Sequence, residues 1–424
     1  MHLTGTAPLL AVALLASSVS LLGQSTEPTD QTQLVRTLID RIDGLEKRLS
    51  ELETKSPPPP VIASDREKIE PGEPKQLQAA HAHNVAPVPE IAESYPLLKI
   101  AGFTDVNFAA TDQPGTRSGF SEGQFILHMT SALSPKVAFF GELSFTARSD
   151  AGVGTPAAAG FNAELERAII RYDHSDRVKF SFGRYHTPVN YWNNTFHHGS
   201  WLQTTISRPE MTQFGGSFIP VHFVGSLVEG NVPAGGLNLN YNVGVGNGRG
   251  SIISRGGDFG DVNNHRASVL NVFARPDRFY GLQVGASFYR DKISPATGRE
   301  ARESIQSAHI AWQKENPEII AEFANITHRD LNGATRANSQ AWYVQTAYRL
   351  PAFEKAWKPY YRFEYMHIPA SDWIFRNLRS STGSTFGVRY DLSSFAALKF
   401  EYRRHRRLPV GRVDGAFLQT SFTF

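Results

Sequence analysis

The side chains of this sequence best suited to chemistry are arginines set in alternating runs. Where Phe386, Val388 and Tyr390 point one way, Arg389 and Asp391 point the other. Where Leu398, Phe400 and Tyr402 form one face, Lys399, Glu401 and Arg403 form its opposite. Arg362 and Glu364 stand across from Tyr361, Phe363 and Tyr365, and Arg167 and Arg171 across from Ala168, Ile170 and Tyr172. A planar guanidinium matches the geometry of a carboxylate or a phosphate. These cations, together with Arg208, are therefore candidates for meeting a small anionic solute. The carboxylates Glu364, Asp391 and Glu401 lie among them and offer the alternative of pairing across strands.

A second candidate is the segment 187–216, which carries Tyr191, Trp192, Phe196, His197, His198, Trp201, Arg208 and Glu210. Its aromatics suit packing against a wall, which would leave Arg208 and the histidines facing a solute. The competing reading is an outer loop covering a seam between subunits. His197-His198 and Ser200 are close in sequence, but no G-x-S-x-G occurs, and proximity in a loop does not make a Ser–His–acid geometry. His186, His197 and His198, or His81 and His83, could be read as metal ligands. Fourteen histidines in 424 residues make such neighbours common by chance, so no metal or cofactor is expected. Cysteine is absent, which removes disulfides and thiolate sites.

The elements that must position these residues are strands. From about residue 97 the pattern has a period of two, clearest where Leu237, Leu239, Tyr241, Val243 and Val245 interleave with Asn238, Asn240, Asn242, Gly244 and Gly246. Sixteen such runs are expected, at 97–108, 122–133, 136–148, 161–172, 177–187, 217–228, 236–247, 264–274, 280–290, 302–313, 317–328, 337–350, 357–367, 380–391, 395–408 and 412–424. Each is long enough to cross a bilayer core when tilted. The connections alternate short (Ser134-Pro135, Ser393-Ser394) and long (109–121, 187–216, 247–263), the asymmetry of a transmembrane barrel, with the last hairpin at Pro409–Gly411 as an exception. Trp357, Tyr360, Tyr361 and Phe395 lie near run ends, where aromatic girdles meet headgroups. The fold class expected is all-β: a 16-stranded antiparallel transmembrane barrel over 97–424, preceded by a short coiled-coil helix.

The first hundred residues differ. Residues 1–23 read as a signal peptide, with an apolar run from Ala7 to Leu22 and Ser18-Val19-Ser20 as a cleavage candidate. Val35, Leu38, Ile42, Leu45, Leu49 and Leu52 form a heptad seam over 33–54, a coiled coil that self-associates or packs on something else. Residues 55–96 are a Pro-rich linker. Residues 93–424 hold 35 Lys/Arg against 28 Asp/Glu, a surplus of seven, and 27 of those cations are arginine.

Arg177–Thr187 (RVKFSFGRYHT) leading into Pro188, the long aromatic loop, and Gly215–Val228 (GGSFIPVHFVGSLV) resemble the phosphate-selective porin O/P family. A coiled coil ahead of the barrel is similar to related porins that take dicarboxylates. The resemblance implies an outer-membrane porin passing small hydrophilic solutes, anion-preferring for phosphate or carboxylates, trimeric, with its N-terminal segment in the periplasm. A strand ending on Phe424 resembles the assembly signal of such barrels. Arg403-Arg404-His405-Arg406-Arg407, near the outer end of strand fifteen, suits lipopolysaccharide phosphates or an anion funnel. An exported barrel has no nucleic-acid partner. The alternatives are a barrel hydrolase and a ligand-binding receptor or adhesin, the latter needing a plugged lumen.

Overall fold

A computed structural model of the chain describes residues 95–148, 160–196, 198–213 and 218–424. The signal peptide, the coiled coil and nearly all of the linker expected above lie outside the described residues. Sixteen strands follow in order: β1 Leu97–Thr111, β2 Gly119–Ser134, β3 Val137–Ala147, β4 Phe161–Ser175, β5 Val178–His186, β6 His222–Val232, β7 Leu239–Asn247, β8 Ala267–Ala274, β9 Leu282–Ile293, β10 Ala301–Trp312, β11 Glu318–Asp330, β12 Arg336–Ala347, β13 Trp357–His367, β14 Ser381–Asp391, β15 Ala396–Arg407 and β16 Gly411–Thr423. Each pairs antiparallel with its neighbours in sequence, and β1 closes on β16, so the sheet has no free edge. Among the described residues no helix is long and apolar enough to cross a membrane.

Closure rests on the last residue as well as on the β1–β16 ladder. Gly102 N–H donates to the Phe424 carbonyl at 2.9 Å, and Phe424 N–H returns a bond to the Gly102 carbonyl at 3.1 Å. The Phe424 ring stacks on Phe125 with centroids 5.7 Å apart and covers Gly102, where a Cβ would stand 2.2 Å from its Cζ. Only glycine leaves room for that ring.

The strand period sorts the side chains by face. Ile170, Phe182, Val243, Val245, Leu270, Phe288, Trp342, Val344, Phe386, Leu398, Phe400 and Leu418 are exposed, while Glu142, Arg171, Glu303, Arg362, Lys399 and Glu401 are buried. An apolar outside around a charged inside inverts the soluble-protein pattern and is what hydrocarbon requires of a barrel.

Three local readings need correction. Strand β6 begins at His222 rather than at 217: Pro220 cannot donate to a ladder, and Phe218 and Ile219 are buried against the interior instead. Tyr360 is not a girdle residue; it is 5% exposed and its hydroxyl donates to Glu401 at 2.9 Å, whereas Trp357 and Phe395 are exposed. The basic run 403–407 is not one patch, because alternation puts His405 on the buried face while Arg404 and Arg406 are exposed.

Candidate functional site: a loop carried across the barrel interior

Strand β5 ends at His186 and β6 starts at His222, leaving the longest connection in the barrel. Thr187 N–H donates to the Val221 carbonyl at 2.8 Å, which holds the two ends of the connection together. A single turn, α1 (Trp192–Thr195), follows. Nothing ahead of it caps the turn, yet its first amides have a partner on the far wall. Tyr191 and Trp192 N–H both donate to Glu322 Oε1 of β11, each at 2.6 Å.

The rest of the loop is held in the same way. Ser200 Oγ donates to Asp105 of β1 at 2.8 Å, and Thr204 Oγ1 to Glu318 of β11 at 2.9 Å. Ile206 and Ser207 N–H donate to Glu401 of β15 at 3.0 and 3.2 Å, and Glu210 N–H to Glu364 of β13 at 2.6 Å. Loop carbonyls receive the wall cations. Arg362 donates to Ser207 O and Arg208 O at 2.9 and 3.1 Å, Arg389 to Trp201 O and Gln203 O at 2.6 and 3.1 Å, and Lys399 to the carbonyls of Ser200, Gln203 and Thr205. A segment that leaves from β5 and meets β1, β11, β13, β14 and β15 of a closed barrel can only run through its interior. Backbone groups carried into that interior need partners, and carboxylates for the amides with guanidiniums for the carbonyls supply them.

The sequence-derived candidates thus fall into groups. Arg362, Arg389 and Lys399 meet the loop's backbone. Arg403 bonds to Glu401, lies over the Phe417 ring at 3.6 Å and keeps 24% of its side chain exposed. Arg167 bonds to Glu142, and Arg171 to Asp173 at 2.6 Å, on a stretch of wall away from those anchors. Arg208 is buried, and burial pushes its guanidinium pKa down while nearby Glu166 opposes the shift. Tyr191 and Trp192 are buried, with Trp192 edge-on to Tyr343 at 6.1 Å. Trp201 stacks on Phe103 and lies under Arg389. His197 lies outside the described residues.

Glu210, toward the loop's far end, is a titratable anchor that belongs to the loop itself. Burial would raise its pKa, but the His405 hydrogen bond and the Arg407 charge outweigh it and hold the carboxyl at about 2.

Sequence reading missed most acceptors of the loop. Glu322 alternates with Phe323 and Asp105 with Val106, so parity applied to β1 and β11 would have marked both as inward. The structure also gathers a largely buried group on the near wall, Glu142, Glu166, His186, His198 and His222, of which sequence reading considers only His186 and His198, and sets them aside as chance neighbours. His198 Nε2 lies 3.2 Å and His222 Nε2 2.8 Å from Glu166, and His186 Nε2 3.6 Å from Glu142. A second connection, 368–380, also turns inward. Its Asp372 meets His328 at 2.8 Å and accepts from Ser339 Oγ at 2.7 Å, while Phe375 packs on Phe218. Neither Ser200 nor Ser339 donates to an imidazole; both hydroxyls bond carboxylates, so these serines do not form a Ser–His–acid array. Beneath the aromatic loop, at the barrel end where β1 begins and β16 ends, lies a cavity of about 390 Å³, lined by amides such as Asn190, Asn231, Asn240 and Asn242 together with Tyr191, Lys179, Glu229 and Arg275.

A closed sixteen-stranded antiparallel barrel, apolar outside and crossed by the connection between β5 and β6, has the porin fold. Among solved structures the chain is similar to an anion-selective porin from Comamonas acidovorans, at 11% identity and TM-score 0.57, covering 78% of this chain and 100% of that one. It is similar to the outer membrane channel DcaP of Acinetobacter baumannii at 10% identity and TM-score 0.53, over 78% and 99% of the two chains. OmpT, an outer membrane protein of Vibrio cholerae, matches in its trimer form at 14% identity and TM-score 0.51, over 78% and 100%. Identities this low speak for fold alone. No family model matches the chain, and no curated protein matches it in sequence.

Proposed function

We propose that this chain is an outer-membrane porin through which small hydrophilic solutes diffuse, with a modest preference for anions. The observation that carries the reading is the loop held across the lumen: a barrel with an apolar exterior and a polar interior narrowed by one bonded segment is built to filter by size and charge. The amide-lined cavity beneath the loop serves as part of the passage. A hydrolase reading has no serine–histidine pair at the candidates considered, and a plugged receptor would need more than these two connections to fill its bore.

The anion preference is modest for a physical reason. Ten buried cations stand among eleven buried carboxylates in the described residues, so the inner wall is close to neutral. The surplus of seven positive charges over residues 93–424, 35 less 28, therefore lies mainly on partly exposed groups such as Arg403 and Arg407. A chloride-over-potassium permeability ratio of about 3 is expected, the effect of a potential of roughly half a kT in the passage, which enriches the anion and depletes the cation alike. Phosphate and carboxylates are the anions a guanidinium would hold best. The OmpT neighbour in trimer form and the heptad at 33–54 support a homotrimer, with lipopolysaccharide phosphates meeting the exposed Arg404 and Arg406.

Planar-bilayer recording of the purified full chain under a KCl gradient tests the reading. Discrete open steps with a reversal potential on the chloride side are expected. Steps with a cation preference would keep the channel and overturn its charge assignment. A folded barrel with no steps would overturn the porin itself.

A further inference from the structure

We propose that Glu142, His186 and His198 form a binding site for one divalent transition-metal ion of the zinc type. Glu142, His186 and His198 each place a ligand atom within 4.8 Å of the other two, and Glu166 and His186 meet the same limit together with His222. Zinc holds imidazole and carboxylate ligands at about 2.0–2.2 Å, which sets ligand atoms about 3.4 Å apart around a tetrahedron. The 3.6 Å separation of His186 Nε2 from Glu142 already approximates that spacing. All three side chains are at least nine-tenths buried.

The wall is shaped to bring them together. The β3–β4 ladder shifts register between Glu142 and Leu143, which pair with Arg167 and Leu165 and leave Glu166 between them as a bulge. Glu166 and Arg167 are consequently both buried, two successive side chains where alternation allows one. His186 ends β5 beside them, and the loop delivers His198 from above.

Hydrogen-bond chemistry separates the ligands from their neighbour His222. Arg184 Nη2 lies 3.0 Å from His222 Nδ1, and a guanidinium can only donate. His222 Nδ1 is therefore the acceptor, its proton sits on Nε2, and Nε2–H donates to Glu166. A ring held that way could bind a metal only as an imidazolate, so His222 orients Glu166 and does not ligate. His198 has the opposite arrangement: its Nδ1 faces Gln124 Oε1 at 3.2 Å, which places a proton on Nδ1, and an ion would take Nε2 in exchange for its 3.2 Å contact to Glu166. His128 Nε2 at 3.0 Å, together with Arg167, orients Glu142. Arg167 and Arg184 balance the two carboxylates and oppose a cation, so binding depends on nitrogen ligation, which selects zinc, copper or nickel over magnesium and calcium. Because Glu142 and His186 belong to the wall and His198 to the loop, a bound ion ties the loop to β3 and β5.

Calorimetric titration of the chelator-treated full chain with ZnCl2 tests this. It is run in a His81→Ala, His83→Ala, His197→Ala background, which removes histidines that could bind metal elsewhere. One equivalent of zinc should bind, with no response to MgCl2. His186→Asn and His198→Gln should each weaken binding at least tenfold, whereas His222→Ala should keep the stoichiometry. Gel mobility before and after boiling checks that each variant remains a folded barrel. No zinc binding to the folded background protein, or unchanged binding in His186→Asn and His198→Gln, would overturn the site. The titration reads binding without conductance, so it can fail or succeed independently of the porin reading.

Discussion

Arg362 shows how one side chain can be read two ways. Its sequence position offers a guanidinium to a passing anion. In the fold it is fully buried and donates to the carbonyls of Ser207 and Arg208, to Gln345 Oε1 and to Ser207 Oγ, with Glu364 beside its Nε. Its role is to satisfy backbone that would otherwise be stranded. Arg362→Ala would leave Glu364 and two loop carbonyls short of a partner, and breaking a buried pair of this kind costs about 3–5 kcal/mol. The expected result is a barrel that still folds but whose open-channel current is larger and noisier, as seen in single-channel recording. A quiet channel of unchanged conductance would mean the loop does not depend on this residue. Arg403, partly exposed, should behave differently: Arg403→Gln should move the reversal potential toward potassium, and an unmoved potential would remove it from the selectivity argument.

At the scale of the element, the loop between β5 and β6 is fastened at several points, and the anchor at Glu210 is acid-sensitive. Glu210 is held at about 2, below the ordinary glutamate value of about 4.3. A carboxylate depressed by folding adds stability that is complete above its unfolded pKa and is lost as pH falls toward the folded one. The contacts to His405 and Arg407 should therefore weaken between about pH 4.3 and 2 and release the end of the loop. Conductance measured across that window should rise or flicker, and Glu210→Gln should show the released behaviour at pH 7. If wild type and Glu210→Gln share one pH profile, the anchor is elsewhere.

At the scale of the whole molecule, a barrel is stable because no strand edge is left over, and here the seam is shut by the terminal residue. Gly102→Val would put side-chain atoms where the Phe424 ring lies, and Phe424→Ala would remove the ring from Phe125 and Gly102. Both should lower the fraction of heat-modifiable, folded barrel on gels. Their effects should fall short of additive when combined, because they damage one contact. Fully additive losses would show that the two residues close the seam independently.

The local rules of the chain reached far. Alternation is a property of neighbours, so the sixteen strands, the even count and the face of most wall residues were legible in runs such as 395–408, since a regular strand keeps its period of two wherever no bulge interrupts it. Where a proline intervened, at 220, the boundary moved. Partnership was a different matter. Whether Arg389 meets a solute or the carbonyl of Trp201 depends on residues 188 positions apart in sequence, and no periodic signal links them. The same holds for Glu322 receiving the amides of Tyr191 and Trp192, and for the bulge that turns Glu166 toward His198. Sequence alone determined a charged inner face on a closed sheet of sixteen strands. Only the tertiary structure decided which of those charges hold the inward loop and which gather around the histidines, because that depends on the path of a long connection through a space the strands enclose but do not specify.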